Sequence, residues 1–205
     1  NNALQEKDNR VDEAVKILED AGWKDTDGDG IREKNGVKAE FVINGRSNDL
    51  QRYNTAVALA QDAKKLGINI IAKSTPWSEA RKIARNIPTV WAIGDFTPQV
   101  IYNYYHSSQV GVNVINNSAI YRNPAVDAHI DRALAATSDE EAVREFKAAQ
   151  WDGTAGAKMD VPYLWIVTVQ VPYFVNERLD LGQLRVGERG QGMGILANLD
   201  DWQWK

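Results

Sequence analysis

Two short apolar runs, Ala39 to Ile43 (AEFVI) and Ile68 to Ala72, flank a stretch with the spacing of one amphipathic helix, and this arrangement constrains the fold more than any other feature. Each run is short and bounded by turn residues, so each reads as a strand. Between them Leu50, Tyr53, Val57 and Ala60 recur at helical spacing, Ser47 or Asn48 is placed to cap the first turn, and Leu66 followed by Gly67 ends the helix. A strand, a helix of that length and a second apolar strand make a βαβ unit, with parallel strands and a right-handed crossover. The pattern then recurs. Thr75 and Pro76 read as cap and first residue of a helix to about Asn86, and Pro88 leads into a third strand, Thr89 to Ile93. Two successive crossovers predict the α/β class, a layered parallel or mixed sheet with flanking helices.

Ahead of this unit, Val11, Ala14, Val15, Leu18 and Ala21 form a helical stripe, with Asn9 as candidate cap and Gly22 as the left-handed residue that ends it. Trp23 is placed to fold back over Leu18. The following DTDGDG is turn chemistry, since Asp side chains bond to amides two residues on and glycine accepts positive φ. It is also half of a calcium loop: Asp25, Asp27 and Asp29 alternate, and Gly30 falls where such a loop turns sharply. The twelfth position counted from Asp25 is Gly36 rather than the bidentate Glu, and Ile31 comes one place early. Two readings follow, a structural calcium site and a plain acidic turn facing water.

Downstream, Asp95 to Tyr121 is rich in aromatics, Asn and Ser without clear period, and reads as an ordered loop region with at most short elements. Two helices come next. Asn123 and Pro124 open the first, with Val126, Ile130 and Leu134 on its apolar face; Ser138 and Glu141 form a capping box for the second, which should bury Val143, Phe146 and Trp151. Tyr163 to Val175, apolar apart from its interruption at Pro172, reads as a buried strand that bends there. The tail from Arg178 carries Gly182, Gly187, Gly190, Gly192 and Gly194, a composition of irregular loops.

The 205 residues are 43% hydrophobic and 25% charged, the balance of an ordered globular chain. A net charge of -4, with Lys and Arg scattered, gives no support to nucleic acid as a partner. No run approaches the roughly 18 apolar residues of a membrane span, and there is no cysteine for a disulfide framework. An enzyme is not indicated: His106 and His129 sit in no metal-spaced cluster, and there is no nucleophile elbow or Walker loop. GERGQGMG, near Gly187, lacks the strand-to-helix context of a phosphate cradle.

In open α/β sheets ligands bind beyond the carboxyl ends of the strands. Three loops reach that edge: Asn44 to Asn48 with Arg46, Ser74 to Trp77, and Asp95 to Gln99 with Phe96. Arg46 offers a planar fork for a carboxylate, as at a peptide C terminus, or is simply a solvated loop residue. Trp77 and Trp91 are rings for stacking, with Trp91, on a strand, better suited to the core, and Asp95 also suits a turn or cap.

The order AGWKDTDGDGIRE, KKLGINI, WAIGD, YRNPAVDAHIDRA and VPYLWIV resembles the second lobe of the peptide/nickel class of ABC-transporter solute-binding proteins. The resemblance implies a periplasmic-binding-protein-like lobe, residues 1–177, with a tail, residues 178–205, that would return to a first lobe absent here, leaving it poorly packed or paired with another copy. It implies a peptide or other small solute as ligand, an ABC permease as partner, a periplasmic or extracellular location and no catalysis. In peptide-binding members an Asp after a GW-containing strand pairs with the ligand's amino terminus, and Asp95 matches it, although the tryptophan is displaced by one residue. No cofactor is implied beyond the candidate calcium at Asp25, Asp27 and Asp29. Two readings from other classes stand beside this one: a calcium-stabilised extracellular interaction or adhesion module, and a glycan-handling domain built on exposed aromatics.

Overall fold

The computed structural model describes residues 10–92, 97–167, 173–183, 196 and 198–205. Asn9, Ile93, Asp95, Phe96, Pro172 and the glycines at 187, 190, 192 and 194 lie outside them. The chain divides into two units, Asn1–Trp91 and Ala92–Lys205.

In the first unit, α1 (Val11–Asp20) ends as its sequence dictates. Gly22 takes φ 86°, its amide donates to Glu19 O at 2.9 Å, and the Trp23 amide donates to Leu18 O at 2.8 Å. These are the two bonds of a Schellman cap. The acidic turn follows, and then a hairpin absent from the expectation: β1 (Glu33–Lys34) pairs antiparallel with β2 (Val37–Lys38). Asn35 and Gly36, both at positive φ, make its two-residue turn.

The βαβ unit is present and longer than expected. β3 (Glu40–Arg46) and β4 (Asn69–Thr75) pair parallel in register from Glu40 against Asn69 to Arg46 against Thr75. Residues 44–46, read as loop, are therefore strand. Parallel pairing continues as long as both chains can supply amides and carbonyls, and neither Asn44 nor Gly45 prevents it. Between the strands runs α2 (Leu50–Ala63), capped by Asp49 rather than Ser47 or Asn48, since the Asp49 carboxylate accepts the Arg52 amide at 3.1 Å. Its buried face is Ala56, Ala60 and Ala63, whereas Leu50 is exposed. Small side chains let the helix settle closely on the sheet, which large ones at the same face would prevent.

The expected third strand is reduced, among the described residues, to one parallel bridge between Asn44 and Thr89. The Asn44 amide donates to Pro88 O and the Val90 amide to Asn44 O, each at 2.8 Å. β3 thus lies between β4 and this segment. The preceding helix, α3 (Trp77–Ile83), is shorter than expected and starts one residue later, with Pro76 extended at the cap position. Ile43, Ala56, Ala60, Ala63, Ile70 and Val90 form the core of the unit.

In the second unit the stretch read as irregular contains α4 (Pro98–Tyr105), opened by a proline in its first turn. α5 (Pro124–Ala135) and α6 (Asp139–Gln150) begin at the expected caps: Asn123 Oδ1 accepts the Ala125 amide at 3.0 Å and Ser138 Oγ accepts the Glu141 amide at 3.3 Å. Tyr121, Val126, Ile130 and Ala149 are the buried centre, whereas Leu134 and Val143 face solvent and Phe146 and Trp151 are half-buried. The short α7 (Ala157–Asp160) follows. Residues 163–167 and 173–175 form no strand, and Leu164, Trp165, Val167 and Phe174 are exposed rather than buried. An apolar run reports surface that needs covering, not that its own chain covers it. The described tail closes on itself, with β5 (Leu179–Asp180) antiparallel to β6 (Gln203–Trp204).

Charged groups lace α5 to α6. His129 Nδ1 lies 2.7 Å from Glu145 Oε2, and Arg132 Nε donates to the same oxygen at 2.9 Å. Asp152 Oδ1 accepts from the amides of Thr154 and Ala155, both at 2.7 Å, and from Thr154 Oγ1 at 2.9 Å. The backbone amides of Ala155 and Thr154 hold the Asp152 carboxyl well below the usual carboxylate range, and His129, then Arg132, lower that of Glu145. Carboxylates depressed on folding stabilise above the unfolded value of about 4, and this contribution is lost as pH falls through the folded values. The melting temperature of the second unit should therefore fall below about pH 4. Asp152→Asn should flatten that fall; parallel curves from pH 7 to acid for both proteins would show that Asp152 contributes nothing.

Candidate functional site

The carboxyl ends of β3 and β4 bring together three of the expected residues. Arg46 is the last residue of β3, opposite Thr75, and the Ser47 amide donates to Thr75 O at 3.0 Å as the chain leaves the sheet. Two residues after Thr75, Trp77 opens α3. The Arg46 guanidinium carbon lies 4.9 Å from the centre of the Trp77 ring, a cation–π stack. The Trp91 ring packs on Trp77 at 4.7 Å between centroids with planes tilted by 55°. Stacking fixes the planar guanidinium in one orientation, so less freedom is lost when it binds.

Among the described residues the charge at this edge is positive. Arg52 pairs with the Asp49 carboxylate, while among the described residues no carboxylate pairs with Arg46. Burial, and then the neighbouring Arg46 charge, lowers the pKa of Arg52 from its ordinary value. Two guanidiniums against one carboxylate favour an anionic group at this edge.

Beneath Arg46 lies Asn44, fully buried, with Oδ1 accepting from Thr75 Oγ1 at 3.0 Å. Asn44 and Thr75 fall within the loops expected at this edge but were not among the ligand residues expected there. The available signal was a polar side chain closing an apolar strand, FVIN, directly before glycine. Asp95 and Phe96 lie outside the described residues.

The three acidic candidates gather separately. One oxygen each of Asp25, Asp27 and Asp29 lies within 4.8 Å of the others. Asp25 accepts the amides of Gly28 at 2.7 Å and Gly30 at 2.9 Å, and Asp29 accepts that of Ile31 at 2.8 Å. From β2, the Lys38 ammonium reaches Asp27 at 3.0 Å and also bonds Asp29. Those bonds, that to Asp29 first, raise the pKa of Lys38, and Lys38 in turn lowers that of Asp29. The Asn35-Gly36 turn is what returns β2 to the acidic loop. A broader polar depression nearby, lined by Glu19, Lys24, Asp25, Arg32 and Lys64, lies apart from the Arg46 edge.

The profile of the bacterial extracellular solute-binding proteins, family 5 (middle region), matches residues 1–121. The chain belongs to this family. Among family 5 relatives and other curated proteins, Protein XP55 of Streptomyces lividans is 33% identical over 171 residues, 82% of this chain and 30% of that protein. The oligopeptide-binding protein AppA of Bacillus subtilis is 26% identical over 197 residues, 92% of this chain and 34% of AppA. The chain spans about a third of the length of these curated relatives. The solved structure of AppA with a nonapeptide superposes with a TM-score of 0.67 at 24% identity, over 95% of this chain and 37% of AppA. NikZ of Campylobacter jejuni in complex with Ni(L-His) gives 0.69 at 21%, over 94% and 38%. These likenesses bear out the α/β, periplasmic-binding-protein-like fold. Among the described residues no helix is long and apolar enough to cross a membrane.

Proposed function

We propose that this chain is the second-lobe part of a two-lobed protein that captures a small solute with a free carboxylate, a peptide best of all, and delivers it to an ABC permease. The observation that carries this reading is Arg46: a guanidinium stacked on Trp77 beside Trp91, at the carboxyl edge of a parallel strand pair, with no carboxylate partner among the described residues. Two family 5 structures lend chemical support, since one relative holds a nonapeptide and another a nickel–histidine complex, both of which carry carboxylates. Asp95 and Phe96 are proposed as further ligand residues on sequence grounds alone.

Residues 1–177 are assigned to the lobe and residues 178–205 to a tail that returns to the other lobe. The exposed apolar run at residues 164–167 supports this assignment, because it is surface a second lobe would cover. Capture then follows from closure, in which a ligand touching both lobes favours the closed form by its differential affinity. A family of extracellular solute-binding proteins supports a binding role without catalysis, in the periplasm or outside the cell.

The test compares peptides with their C-terminal amides, by thermal shift and calorimetry on the full-length protein. Free-carboxylate peptides should bind and amides should bind more weakly. Arg46→Ala should weaken binding of the free acids by about 10- to 100-fold, the loss of a charge-assisted hydrogen bond of about 1.5–3 kcal/mol. Equal affinity in the wild type and the variant would remove Arg46 from the site.

The calcium-stabilised module has one observation in its favour, the convergence of Asp25, Asp27 and Asp29. Lys38 already supplies a positive charge to two of the three, which favours the plain turn. Millimolar calcium should leave the melting temperature unchanged in the native protein. A rise reversed by chelator would instead support the module.

A further inference from the structure

We propose that Asn44 is a second hydrogen-bond donor of the ligand site, sharing with Arg46 one carboxylate group; this rests on the Arg46 reading above and extends it. Residues two apart on a strand project from the same face, about 7 Å apart along it, so β3 sets Asn44 and Arg46 side by side. Asn44 is 0% exposed, and its Nδ2 has no hydrogen-bond partner. Arg46 Nε is buried and also without one. Buried donors are nearly always paired, so two orphans on one strand face, at the edge where ligands bind, mark the place of an acceptor supplied from elsewhere.

Thr75 holds one end of the amide. Its hydroxyl donates to Asn44 Oδ1 at 3.0 Å, which leaves Nδ2 as the unengaged end. A carboxylate has two acceptor oxygens, one for each N–H group. The class of ligand group is therefore an acceptor-only anion, and an ammonium is excluded by like charge and by the lack of an acceptor. Both donors are closed off from solvent and Trp77 lies over Arg46, so entry of the carboxylate requires side chains at this edge to rearrange.

The test follows the Asn44 side-chain amide and the Arg46 Nε–H by NMR in the full chain during titration with sodium acetate, the smallest stable probe carboxylate, with sodium chloride as blank. Both resonances should move with one common dissociation constant, and Asn44→Leu should reduce the Arg46 response by at least about fivefold. An Arg46 resonance that moves while Asn44 stays still, or an Arg46 response unchanged in Asn44→Leu, overturns the role of Asn44 and leaves the Arg46 reading intact. If neither resonance moves beyond the blank, the Arg46 reading falls and Asn44 falls with it.

Discussion

Ile130→Ala is expected to lower the unfolding free energy of the second unit by about 3–4 kcal/mol, in the upper part of the range for buried aliphatic truncations. Ile130 is 0% exposed and sits with Val126, Tyr121 and Ala149 at the centre of the helical core. Val126 and Ala149 are held on α5 and α6, which pack against one another, so the space left by three carbons closes only in part, and the cavity adds to the lost transfer energy. Ile130→Val, which removes one methylene, should cost about 1 kcal/mol. Urea denaturation, read through hydrogen exchange of the α5 and α6 amides, measures both. A loss below that of the valine variant would mean that the α5–α6 contact is not the core of the unit.

Gly45→Val should destabilise the first unit by about 3 kcal/mol, through overpacking rather than a cavity. A Cβ at position 45 would lie 2.6 Å from Tyr53 Cα and 3.1 Å from Tyr53 Cβ. The nearest atom is backbone, so rotating a side chain gives no relief; α2 has to lift off β3 and loosen Ala56, Ala60 and Ile43 with it. The location of the clash supplies the control. Tyr53→Ala in the same chain should not restore stability, because its Cα stays where it is. Recovery in that double variant would place the obstruction on the ring instead.

Local chemistry made much of this chain readable. Gly22, Asn123 and Ser138 act as the sequence indicates because a cap depends on a few neighbouring amides and on the φ a residue tolerates. The parallel pairing of β3 with β4 was likewise readable from two apolar runs and the helix between them. Asn35-Gly36, a strong local hairpin signal, carries the same kind of short-range information and closes β1 on β2. Element ends were less legible: β3 continues to Arg46 because β4 runs beside it, and nothing inside NGR announces that partner.

The candidate site divides in the same way. Arg46 and Trp77 were expected at one edge, because parallel strands carry their carboxyl ends together whatever the separation in sequence. Their stacking order, and the burial of Asn44 beneath them with one amide end held by Thr75, depended on distances that periodicity does not encode.

By itself the sequence determined the α/β class, the helix ends at Gly22, Asn123 and Ser138, and the acidic turn, since each rests on residue type and short spacing. Only the tertiary structure decided that Ala56 and Ala63 join Ala60 on the buried face while Leu50 is exposed, that Leu134 and Val143 face water, and that Lys38 meets Asp27 and Asp29. Apolar periodicity identifies which side chains gain from burial. Which of them are buried is settled by the volume and charge of what the rest of the fold places opposite.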